Sequence, residues 1–102
     1  MKKLFISQPM RGRTDEEILA ERKNAIETAK WMIGEDVEAI DSFFSTAPTD
    51  AKPLWYLGKS IELLSNADYV YFCAGWKDAR GCRIEHECAV QYGINIIEQI
   101  GR

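Results

Sequence analysis

Residues 68–97, DYVYFCAGWKDARGCRIEHECAVQYGINII, decide the fold. Asp68-Tyr-Val-Tyr-Phe-Cys73 is a short apolar run rich in aromatic and β-branched residues, the composition of a buried strand. Gly75 and Gly81 then turn the chain into a helix running from about Gly81 to Gln91, and Ile94-Asn-Ile-Ile97 reads as the next strand. Strand, helix and strand in succession imply a parallel pair joined by a right-handed crossover. The turn between the first strand and the helix is flanked by glycines and carries Trp76, Asp78 and Arg80, with Arg83, Glu85, His86 and Glu87 just inside the helix. In open α/β sheets ligands bind beyond the carboxyl ends of strands, where helix N-termini aim their free N–H groups. This turn is therefore the first place to look for chemistry.

The upstream chain repeats the alternation. Lys3-Leu-Phe-Ile-Ser7 reads as the first strand and ends in a Gln8–Arg13 loop punctuated by Pro9 and Gly12. Thr14-Asp-Glu-Glu17 has the spacing of a capping box. The helix it opens places Ile18, Leu19, Ile26, Ala29 and Ile33 near one face, and Gly34 suits its C-terminus. Val37-Glu-Ala-Ile40 is a weaker strand ending at Asp41-Ser42, and Phe43 to Thr49 reads as a loop. From about Asp50, the spacing of Leu54, Leu57, Ile61 and Leu64 predicts a second helix, with Pro53 tolerable in its first turn. Four strands and three helices give an α/β three-layer sandwich, a small flavodoxin-like or Rossmann-like parallel sheet with helices on both faces. The first strand is expected at its centre, and residues 1–102 form one domain. The loops after strands one, two and three then converge, bringing Arg11, Arg13, Asp41, Trp76, Asp78, Arg80 and Arg83 to one crevice.

Composition bounds the partners. Hydrophobic residues at 46% and charged residues at 28% fit a folded globular chain. A net charge of −3 gives no general electrostatic case for a nucleic-acid polymer or an anionic membrane. No apolar run approaches the ~20 residues of a membrane span. Three cysteines, Cys73, Cys82 and Cys88, sit inside predicted elements and suit reduced thiols in a cytoplasm.

Arg11, Arg13, Arg80 and Arg83 flank the two loops expected to meet. Guanidinium forks match phosphate oxygens, so one reading is an anion pocket; the other is four solvent-facing arginines. Glu85, a turn into its helix, is explained either by the macrodipole or by catalysis. His86 is the one histidine, and such residues are more often surface or capping groups than bases. Cys82 and His86 are four apart, but no second ligand pair accompanies them, so no metal is expected. Trp55, Tyr56, Trp76 and Phe43 could stack a base or could be core.

Gly81-Cys-Arg-Ile-Glu85-His-Glu-Cys-Ala89, followed by Gly93-Ile-Asn-Ile-Ile97, resembles the nucleoside 2-deoxyribosyltransferase superfamily. Members carry a glycine four residues before a nucleophilic glutamate and an alanine four after it. Phe5-Ile-Ser-Gln-Pro-Met-Arg11-Gly12 is similar to that superfamily's first strand and substrate loop, and the arginine-glycine pair to its deoxynucleoside monophosphate N-hydrolase branch. Leu63-Leu-Ser-Asn-Ala-Asp68 also fits. The nearest likeness is to a branch of unassigned function met in phages and bacterial genomes.

The resemblance implies a nucleoside or nucleotide ligand, no cofactor, and a homodimer or higher homo-oligomer. Glu85 would attack the anomeric carbon, as in retaining glycosidases. Arg11, Gly12, Arg13, Arg80 and Gly81 would hold the substrate and its phosphate, Ser7 or Asp41 would orient the sugar, and Trp76 would line the crevice. The chain departs from the pattern twice: Ala79 stands where characterised members carry an acidic residue or serine, and Ser60 where an aspartate is expected. Asp78 is adjacent to the first gap and would assist the leaving base. The alternative is a nucleotide-sensing or accessory module that keeps the pocket without the full catalytic set. A third reading is an interaction domain whose exposed aromatics pack on another chain.

Overall fold

A computed structural model describes residues 1–42 and 47–99. The strands are β1 (Lys2–Ser7), β2 (Val37–Ala39), β3 (Tyr69–Phe72) and β4 (Asn95–Glu98); the helices are α1 (Asp15–Ile33), α2 (Pro53–Leu64) and α3 (Arg80–Gln91). A 3₁₀ turn over Trp76–Asp78 joins β3 to α3. All strands are parallel, in the order β2-β1-β3-β4, so β1 is an inner strand as its apolar sequence requires.

Side-chain alternation assigns the layers. Leu4 and Ile6 of β1, with Tyr71 of β3, face Ala25 and Ala29 of α1. Phe5, Val70 and Phe72 point the other way, against Leu64 of α2 and Ala89 of α3. One helix thus covers one face and two helices cover the other. β1 leads outward to β2 on one side, and β3 leads to β4 on the other. The topological switch point lies between β1 and β3, where Ser7 pairs with Phe72 at the carboxyl ends.

The Thr14 capping box forms: Thr14 Oγ1 accepts from the Glu17 N–H at 3.1 Å, and Glu17 Oε1 accepts from the Thr14 N–H at 2.8 Å. Gly34 ends α1 at φ 83°, a left-handed conformation that glycine tolerates without a Cβ clash. The buried stripe of α1 differs from the expected one. It runs Ile18, Arg22, Ala25 and Ala29, while Leu19, about 100° around the helix from Ile18, is half exposed. Ile26 and Ile33 pack at the margin of the core.

α2 starts at Pro53, three residues later than the spacing suggests, because a turn closed by the Ala51 N–H and the Pro48 carbonyl precedes it. Only Leu64 of α2 is buried, and Leu54 is 78% exposed. This helix lies against α3 and leaves Leu54 and Tyr56 exposed beside the Lys59–Glu62 ion pair. Of the expected Phe43–Thr49 loop, residues 43–46, Phe43 included, lie outside the described residues.

Candidate active site

Three elements of the two-helix layer meet at one carboxylate. Ser7 ends β1 on the same side as Phe5, and its hydroxyl donates to Glu85 Oε1 at 2.6 Å. Glu85 reaches this point because α3 buries the stripe Cys82, Glu85 and Ala89, at i, i+3 and i+7 spacing. Ser60 of α2 lies near the same carboxylate and favours its charged form. Ser60 lies one turn before buried Leu64, so the two share a face of α2. Ser7 is 2% exposed and Glu85 7%. Burial pushes the Glu85 carboxyl above its ordinary range, and the Ser7 and Ser60 hydroxyls pull part of the way back.

No cation matches this charge among the described residues: every Lys, Arg and His ion pair found there lies elsewhere. Cys82, one turn before Glu85, is a buried thiol pushed up to about 11 by burial, with Ser7 acting against the shift. Cys73, at the end of β3, is pushed up to about 12 by burial and stays protonated.

The β1–α1 loop is braced from the opposite layer. Gln8 Nε2 donates to Glu21 Oε1 at 2.9 Å and to the Ile18 carbonyl at 3.2 Å. Arg13 Nη1 donates to Glu21 Oε1 at 2.7 Å and to the Pro9 carbonyl at 2.8 Å. Arg22, 8% exposed, donates to Gln8 Oε1, Ser42 Oγ and the Ile40 carbonyl at 3.1–3.2 Å, tying the ends of β1 and β2 together. Burial lowers the guanidinium's proton affinity, and the Asp41 carboxylate supports its charge.

The structure thus divides the two loop arginines. Arg13 holds the loop's shape, whereas Arg11 is exposed in a turn closed by the Arg13 N–H and the Met10 carbonyl at 3.2 Å. Gly12 completes that turn at φ 75°. The two loops do meet: a Cβ on Gly75 would lie 3.7 Å from Pro9 Cγ.

The remaining expected residues spread along the β3–α3 turn. Arg80 is exposed at the first position of α3, which has no side-chain cap. A Cβ on Gly81 would meet nothing within 4 Å, so packing does not demand glycine there. Arg83 is occupied with the Lys77 carbonyl at 2.9 Å. Trp76 lies flat on His86, with centroids 4.1 Å apart and planes 13° apart, and Phe72 backs both rings. His86 Nε2 lies 3.1 Å from Glu98 Oε2. Asp78 and Asp41 are exposed, and neither perturbs Glu85, whose shift arises from burial and hydroxyls alone. No group of three or more metal-ligating side chains exists among the described residues.

A family profile described as "Domain of unknown function (DUF4406)" matches residues 2–98. The chain belongs to the DUF4406 family. No curated protein and no solved structure gives a significant match. The DUF4406 match runs from β1 through β4, so Ser7, Ser60 and Glu85 all fall inside it. Two contributors to the site of this DUF4406 chain escape sequence reading. Ser60 reads as a lost aspartate, and Arg22 is not among the residues that the spacing assigns to the buried face of α1. Their signal was positional: each lies on the buried side of its helix, three or four residues from a core side chain. Among the described residues no helix is long and apolar enough to cross a membrane.

Proposed function

We propose that the chain binds a deoxynucleoside or nucleotide and cleaves or transfers its N-glycosidic bond with Glu85 as nucleophile. The observation that carries this reading is the buried Glu85 carboxylate, held at 2.6 Å by Ser7 at the end of an inner strand. A carboxylate held at one oxygen by the Ser7 hydroxyl presents its other oxygen in a set direction, and burial strips away the water that would blunt its attack. Attack at the anomeric carbon gives a glycosyl-enzyme, which water or a second acceptor then discharges. Arg11 and Arg80 flank the loops that would hold a phosphate, and the uncapped start of α3 adds N–H donors. Arg13 supports that grip indirectly, through Glu21 and Pro9.

The test is chromatographic. Purified protein is incubated with nucleosides, deoxynucleosides and their 5′-monophosphates, and free base is measured beside Glu85→Gln. Base released by wild type and not by the variant supports the reading. Equal release by both removes Glu85 from the mechanism.

A second reading is a nucleotide-sensing module, favoured by one observation: among the described residues no carboxylate or imidazole acts on Glu85. Calorimetric binding weakened by Arg11→Ala, with no product on long incubation, would select it. The resemblance to homo-oligomeric enzymes and the exposed Leu54 of α2, beside a shallow groove lined by Trp55, Gly58, Lys59, Ile61 and Glu62, also support self-association through that helix.

A further inference from the structure

We propose that the Glu85 site takes N-glycosides whose leaving base already carries a positive charge, a quaternised pyridinium or 7-alkylpurinium on a pentose. This rests on the glycosyl-transfer reading above and names the substrate class of the same site.

The first support is an unmatched charge. Glu85 is 7% exposed, and among the described residues no Lys, Arg or His nitrogen lies within 4.0 Å of its carboxylate. Its hydrogen-bond partner is the Ser7 hydroxyl. Buried carboxylates are ordinarily paired with a cation. Here a cationic ring at the anomeric carbon supplies that counter-charge on binding.

The second support is that no proton donor is placed at Glu85 among the described residues. A neutral purine or pyrimidine leaves poorly as an anion, and enzymes that expel one protonate it with an acid contributing about 10²–10⁴-fold. Glu21 is committed to Arg13 and Gln8. His86 is stacked on Trp76 and turned toward Glu98. Asp41 supports the Arg22 charge and Asp78 is exposed on the 3₁₀ turn, and neither acts on Glu85. Cys82 holds its proton too tightly, at about 11, to deliver it near neutrality. The side chains of residues 43–46 and 100–102 include no carboxylate or imidazole.

A cationic base removes the need for an acid. A carboxylate oxygen of Glu85 bonds to the anomeric carbon as the carbon–nitrogen bond breaks. The electron pair of that bond returns to the ring nitrogen and neutralises it, so the base departs without taking a proton. Water then attacks the same carbon, the bond to Glu85 breaks, and the water proton passes to solvent. The sum is cationic glycoside plus water giving free sugar, neutral base and one proton.

The test compares matched pairs: 7-methyl-2′-deoxyguanosine with 2′-deoxyguanosine, and nicotinamide riboside with uridine. For each, kcat/KM is divided by the uncatalysed hydrolysis rate, and Glu85→Gln is run in parallel with its fold checked by circular dichroism. The expected result is an enhancement about 100-fold or more greater for the cationic member of at least one pair, the scale of a missing general acid, and lost in the variant. Its pH profile should rise through a single ionisation and show no descending limb. Equal or greater enhancement for the neutral members, also lost in Glu85→Gln, would overturn the cationic-substrate inference and leave the glycosyl chemistry standing. No release from any of the four would remove both.

Discussion

Ser7 and Glu85, 78 residues apart in the chain, share the 2.6 Å hydrogen bond on which the candidate site depends. The pairing needs no flexible loop. Ser7 is the last residue of an inner strand and Glu85 faces the core from α3, so both are held by regular structure. Hydroxyl-to-carboxylate bonds of this kind contribute about 1.5–3 kcal/mol, above the neutral-pair average. Ser7→Ala should therefore raise the Glu85 apparent pKa further, since a donor to the charged form is lost while burial is kept. Carboxyl carbon NMR titration of the two proteins measures this directly. An unchanged or lowered value in Ser7→Ala would refute the assigned donor role.

Glu85 should also make the protein less stable as pH rises. Burial disfavours its charged form, so the folded chain holds this proton above the ordinary carboxylate value of 4.5. Folding then binds more protons than the unfolded state, and stability falls as pH climbs from that ordinary value through the folded one. Glutamine keeps the shape without the charge. Glu85→Gln should match wild type near pH 4 and melt higher near pH 7, with each kcal/mol worth roughly 4–8 °C in a domain of this size. A melting difference that stays constant with pH would show that the carboxylate carries no folding cost.

Much of this arrangement was legible in the chain. The period-two alternation of Leu4, Phe5, Ile6 and Ser7 already sorts β1 into two faces, and the strand-helix order sets a parallel sheet. Phe5 and Ser7 share parity, so the serine had to face the same layer as Phe5. What the pattern could not supply was the tertiary partner. Leu19 and Arg22 are both within a helix turn of Ile18, and hydrophobicity favours Leu19 for the core. The structure buries Arg22 because the ends of β1 and β2 offer three acceptors there. Ser60 likewise reads as a defect until α2 is docked beside α3. Charged and hydroxyl side chains enter a core only where specific acceptors await them, and that is not written in local spacing.

Arg22 is accordingly a strong test of the frame beneath the site. Its removal leaves Gln8 Oε1, Ser42 Oγ and the Ile40 carbonyl without that donor, and a buried acceptor left unsatisfied costs about 1–3 kcal/mol. Urea denaturation of Arg22→Met should show a loss of at least this order. Arg22→Lys should recover only part of it, because one ammonium cannot reproduce the planar fork that spans three acceptors. Full recovery by lysine would mean that charge, not fork geometry, holds the two strand ends.

α2 is the element most open to change, since only Leu64 is buried and Leu54 stands 78% exposed. A helix with so little buried surface opens at low cost, in contrast to α1 with its capping box and four-residue buried stripe. In dilute solution the amides of α2 should exchange with deuterium faster than those of α1. If a second copy covers Leu54 and the groove beside it, α2 protection should rise with protein concentration while α1 protection does not. Leu54→Asp should abolish that dependence by placing a charge in the contact. Concentration-independent exchange, together with a monomer mass by light scattering, would refute self-association through α2. Fast exchange confined to α2 at every concentration would instead fit a helix that moves aside to admit ligand to Glu85.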